Sequence, residues 1–164
     1  MDRYPAGLDI DGPVEAEIFV VWLDGDRLAL TGPCGPAAWR VELGATDHPV
    51  AVVDRIIGNA VGRPRLLHST SWRRDRQAVV LTFVAVIDPE LVAGMASAPI
   101  GRSELARSEA TAAPASIADE QVVEHALRHL AWLAQDDPVV SRELPAAWHT
   151  ALDGYVPEPF RNLG

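Results

Sequence analysis

His125 and His129 stand four residues apart in a segment of helical periodicity, and Trp132 follows a turn later. At about 100° per residue the three share one side of that helix. The apolar stripe of Val123, Ala126, Leu127, Leu130, Leu133 and Ala134 lies on the other. Two imidazoles at this spacing suit a helical metal pair. However, Ala126 stands where an H-E-x-x-H site needs its acid, and no third ligand is indicated. The preferred reading is an aromatic second face. It is covered by the segment around Trp148 and His149, or by a second copy in a homodimer.

Arginine is the next chemical signal. Arg63, Arg65, Arg73, Arg74 and Arg76 place five of the 14 basic residues within residues 63–76 of an acidic chain. Guanidinium forks match phosphate and carboxylate, so this stretch is a candidate site for an anionic ligand. The preferred reading of residues 73–76 is a solvated hairpin tip, because they sit at a turn. Nucleophilic catalysis has less support. His68 and Ser69 are neighbours on one expected strand, so they point to opposite faces and cannot form a nucleophile–base pair. No G-x-S-x-G turn is present. The loop at residues 32–36 alternates glycine and proline but lacks the lysine and hydroxyl residue of a P-loop.

The elements that must position these residues read as follows. Residues 15–23 are β-branched and aromatic, and Asp24-Gly25 signals a tight hairpin returning through residues 26–31. Residues 39–43 form a short strand. Residues 47–62 carry Val50, Val53, Ile56, Ile57, Ala60 and Val61 at spacings of three and four, an amphipathic helix. Asp47 is its expected N-cap, Pro49 sits in its first turn, and Gly62 followed by Pro64 ends it. Two long strands follow, 65–74 and 78–87, joined at residues 75–77. Leu66, His68, Thr70 and Trp72 are expected on one face of the first.

Residues 88–115 are small and polar, a long connection holding a short strand or helical turn. A helix capped by Ser116 then runs to about residue 135. Asp137-Pro138 starts a further short helix, and Pro145 another that ends at Gly154. Residues 1–14 read as an irregular lead-in. Residues 155–164 read as an extended tail packing back through Tyr155 and Phe160.

The order of strand, helix, strand and strand over residues 39–87, with the helix leaving through Val61-Gly62, resembles the Nudix hydrolase family. Set on that family's box, G-x5-E-x7-R-E-U-x-E-E-x-G-U, Gly62 falls on the last glycine, Arg55 on the arginine and Ile57 on the first aliphatic position. Asp47 falls on the first acid. Val41 replaces the first glycine, and Arg63 the last aliphatic residue. Ile56, Asn59 and Ala60 replace the three glutamates that follow the arginine. In the family those glutamates hold Mg²⁺ or Mn²⁺ against a diphosphate. The ion demands oxygen ligands, which these three side chains do not supply as a set.

The resemblance therefore implies an α+β fold. A Nudix-like mixed sheet is sandwiched by helices, with a core at residues 15–87 and extra C-terminal helices at 116–164. The rival is a hot-dog fold, which wants more strands after the helix than the two found. Function follows in order of preference. The first reading is a non-catalytic module binding a small anionic ligand or a protein partner, with Arg55, Arg63, Arg65, Arg73 and Arg74 as its candidate contacts. The second is a divergent metal-dependent hydrolase of nucleoside diphosphates, with Glu42, Asp47 and Asp54 as relocated Mg²⁺ or Mn²⁺ ligands. The third is a structural homodimer joined through His125, His129 and Trp132.

Whole-chain properties bound these readings. At 164 residues with 48% hydrophobic and 23% charged residues, the chain suits one globular domain. Its net charge of −9 argues against binding a nucleic-acid duplex. All 14 basic residues are arginine, which excludes lysine-based covalent chemistry. Cys34 is alone, so no intrachain disulfide and no cysteine metal cluster form. No secretory leader or apolar run near 20 residues is seen, so no membrane contact is expected and the location is read as cytoplasmic.

Overall fold

The fold is built on β1 (Val14–Asp24), a strand long enough to serve three neighbours. Its second half pairs antiparallel with β2 (Arg27–Thr31), and its first half pairs antiparallel with β3 (Trp39–Leu43). Along its other side runs β5 (Ala78–Val86), parallel, from Val14 opposite Val79 to Val21 opposite Val86. β4 (Leu66–Asp75) pairs antiparallel with β5, and β6 (Ser97–Pro99) with β2. The result is a six-stranded mixed sheet in the order β4-β5-β1-β2-β6, with β3 beside β1. This architecture comes from a computed structural model, which describes residues 12–104 and 116–157. The lead-in up to residue 11, the connection at 105–115 and the tail with Phe160 lie outside the described residues.

Alternation along β1 sends its residues to two cores. Ala16, Ile18 and Val20 face α1 (Pro49–Ala60), where they meet Val53 and Ile57 of the helix and Phe83 of β5. Phe19, Val21 and Leu23 face α2 (Asp119–Asp136), where they join Leu127, Leu130 and Val84. α3 (Pro138–Glu143) and α4 (Ala146–Leu152) pack behind α2 through Val140, Trp148 and Leu152. The fold is thus α+β with helices on both faces of the sheet, as expected, and it is not a sheet wrapped around one helix.

Several local expectations are corrected. α1 begins at Pro49 with His48 as N-cap. Asp47 instead accepts a hydrogen bond from the Gly44 N–H at 2.7 Å, which tightens the turn before the helix. Val50 is 46% exposed, and Val52 takes its place in the core. α2 begins at Asp119, after Ala118, and not at Ser116. Ala118 has no side-chain acceptor, so this end is held by its own N–H donating to Gln121 Oε1 at 3.0 Å. The hairpin loop between β1 and β2 is Gly25-Asp26, one residue later than read. Asp137 does cap α3, accepting from the N–H groups of Val139 and Val140. The long connection holds both a 3₁₀ turn at Pro89–Leu91 and the short β6.

One irregularity matters for function. Between Ser69 and Ser71 the β4 register slips by one residue, a β-bulge at Thr70. Before it, His68 lies opposite Val84 and faces α2. After it, Trp72 lies opposite Leu81 and faces the α1 side. The bulge overturns the simple alternation that puts His68 and Trp72 on one face.

Candidate functional site

The α2 face of the sheet carries two polar clusters. In the first, β4 and α2 bring His68 and His129 together, with Nε2 atoms 3.1 Å apart. The ring centroids are farther apart, at 5.1 Å, and the planes differ by 21°, so the imidazoles meet tip to tip. Trp132 meets His129 edge-on. Burial pushes His68 below its ordinary pKa against the pull of Asp137. Burial, helped by His68 and His125, lowers His129 to about 4. His129 thus meets His68 of β4, and Trp132 packs on His129 and on the core cluster that includes Trp148. Trp148 is buried against α2, and His149 bonds the Ser141 carbonyl oxygen at 3.0 Å.

The second cluster has no counterpart among the sequence expectations. Glu17 of β1 is 0% exposed. Its carboxylate accepts from Arg73 Nη1 at 2.6 Å and Nη2 at 2.9 Å, from Arg40 Nη2 at 2.9 Å and from Thr82 Oγ1 at 3.2 Å. Arg40 also reaches Glu15 at 3.2 Å and Asp75 at 3.4 Å. Strand pairing explains the gathering, because Glu17 lies opposite both Arg40 on β3 and Thr82 on β5. Above it opens a cleft of about 650 Å³ lined by Glu15, Arg40, Asp75 and Arg76. The signal for Glu17 was present in the sequence, since it is in phase with Phe19, Val21 and Leu23, all core residues.

The five candidate arginines do not form one site. Arg65 and Arg73 sit at opposite ends of β4, about 26 Å apart at strand rise. Arg65 forms a two-pronged pair with Asp88, at 2.8 and 2.9 Å. Arg73 is committed to Glu17 and turned inward, which corrects the reading of residue 73 as part of a solvated tip. Arg55, Arg63 and Arg74 are exposed. Glu42 lies on β3, Asp47 in the turn before α1 and Asp54 on α1, all exposed. Among the described residues, no three His, Cys, Asp or Glu side chains are grouped to hold a metal ion. No helix there is long and apolar enough to cross a membrane.

Both clusters satisfy their own charges. The guanidinium groups nearest the core are neutralised by carboxylates, and the imidazoles bond each other. Neither arrangement presents a nucleophile beside a free base, as covalent catalysis requires. No known family model matches the chain, and no curated protein does.

Proposed function

We propose that the chain is a non-catalytic, Nudix-like module that binds a protein partner. The observation carrying this reading is the residue set of α1 and its flanks. Ile56, Asn59 and Ala60 stand where the resemblance places metal-binding glutamates, and Ile56 is partly buried in the core beneath the helix. The layering of α1, sheet and C-terminal helices is compatible with the resemblance. A protein partner is favoured over a small anion because Arg65 and Arg73 are already paired. Arg63 and Arg74, which remain exposed, are separated by the length of β4.

A thermal-shift panel of nucleotides, nucleotide sugars and dinucleotides, with and without Mg²⁺ and Mn²⁺, tests this reading. A ligand at about 100 times its Kd adds about 2.7 kcal/mol, which moves the midpoint by several degrees. The expected result is no metal-dependent shift and no phosphate release. A metal-dependent shift with turnover would replace the module by a hydrolase and direct attention to Glu42, Asp47 and Asp54.

A further inference from the structure

The β4 and β6 edges of the sheet are built differently, and we infer that the β4 edge receives an extended acidic segment of a partner protein as a seventh strand. This inference rests on the binding-module reading and names the partner's class. The β6 edge is three residues long and ends in Pro99, which has no N–H to offer. β4 is ten residues long, without proline, and has Ser69, Thr70 and Ser71 at its centre. Beyond the bulge at Thr70, the outward main-chain groups of residues 71–75 form a template for another strand.

The side chains along this edge fit the same occupant. Trp72 is 70% exposed, although it stands beside Leu81 on an apolar part of the sheet that continues through Val14 and Val41. Arg74, two residues on, points to the same side opposite Val79. A strand added here would meet tryptophan and guanidinium at alternate positions, so an apolar residue and an acid at that spacing are recognised together. The chain carries a net charge of −9, yet Arg74 and Arg76 have no carboxylate partner among the described residues. Local positive charge on an acidic protein selects an acidic segment. A second copy would bring its own Arg74 and Arg76 to the same junction.

The test uses the full chain and a fluorescein-labelled nine-residue peptide. Leucine takes the central position, glutamate stands at every second residue on either side of it, and serine fills the positions between. A control peptide carries lysine for glutamate. Fluorescence anisotropy should show binding of the acidic peptide that weakens with salt. The lysine control, Trp72→Ala and Arg74→Glu should each bind about tenfold more weakly or worse. Both substitutions are at exposed positions, and circular dichroism checks that the fold is kept. Equal binding of both peptides, no binding at all, or unaltered binding by the two variants would overturn the inference. So would a dimer in sedimentation that Trp72→Ala splits, since the second copy would then own the edge. Peptide failure alongside a metal-independent nucleotide shift would remove the acidic partner and return the module to the small-anion reading. Metal-dependent turnover would remove both.

Discussion

His68 Nε2 lies 3.1 Å from His129 Nε2, and this contact ties edge strand β4 to α2. One nitrogen must donate and the other accept, so the contact holds a single proton between the rings. Protonating both rings places like charges tip to tip, with His125 also opposing charge on His129. Asp137 is the one group drawing His68 the other way. Both histidines titrate lower in the fold than the value near 6.5 expected when unfolded. The unfolded chain therefore takes up protons first, and stability falls as pH drops below about 6.5 and continues to fall toward 4. Urea midpoints of wild type and His129→Gln, measured from pH 7.5 to 4, check this. The wild type should lose more stability than the variant across that window; parallel curves would remove the pair as the cause.

Gly58 and Gly62 sit four residues apart at the end of α1 and respond oppositely to alanine. Gly58 is helical, exposed and open around its missing Cβ. Gly58→Ala should stabilise by about 0.5–1 kcal/mol. Gly62 has φ of 137°, and an added Cβ would lie 2.9 Å from Leu91 Cδ1. Gly62→Ala should destabilise by more than about 1 kcal/mol. Thermal midpoints of the two variants should fall on opposite sides of the wild type.

Glu124 fastens the long connection to α2 at Arg102 and Ser103. Its wholly buried carboxylate accepts from Arg102 at 2.9 and 3.1 Å, from Arg128 at 3.0 Å and from the Ser103 N–H at 3.4 Å. Burial pushes its pKa up, but the bonds from Arg102 and Arg128 prevail and hold it below the usual range. Arg102 continues to the Gly154 carbonyl at 2.7 Å and lies 4.0 Å over the Tyr155 ring. Glu124→Gln should cost about 3 kcal/mol and speed proteolytic cleavage near residue 103. Arg102→Ala removes a half-exposed partner and leaves Arg128 on Glu124, so it should cost nearer 1 kcal/mol. Equal losses would mean that the packing of Tyr155, and not the carboxylate, holds this corner.

Periodicity made the frame legible, because α1, α2 and the paired strands each bury one side at their own repeat. The sites were less legible because they depend on which elements meet. Helical spacing placed His125, His129 and Trp132 together, but their neighbour was decided by the parity of β4. Parity then failed at Trp72 because the Thr70 bulge inserts one residue, and Ser-Thr-Ser gives no warning of it. The arginine group looked compact only because residues adjacent in sequence are counted in steps, whereas a strand spreads them at about 3.3 Å each. Glu17 is hard to read from the sequence because acids at alternate strand positions ordinarily face water. Its companions Arg40 and Arg73 arrive from strands 23 and 56 residues away.

The Glu17–Arg73 pair separates two roles for a buried charge. Arg73 is 13% exposed in its side chain and Glu17 1%, so removing either leaves the other charged in a site that water hardly reaches. Glu17→Leu should cost about 3–5 kcal/mol, because Arg73 loses its partner and Arg40 loses one of its three carboxylates. Arg73→Met alone should cost less, since Arg40 and Thr82 still bond Glu17. The double variant Glu17→Leu with Arg73→Met should recover most of the single Glu17→Leu loss, as apolar replacements of buried ion pairs commonly do. Denaturant unfolding of the four proteins gives the coupling directly. Recovery would mark the pair as a device that sets the pairing of β1, β4 and β5 without adding net stability. Simple additivity would mean that Glu17 is held chiefly by Arg40, and that Arg73 turns inward for its packing.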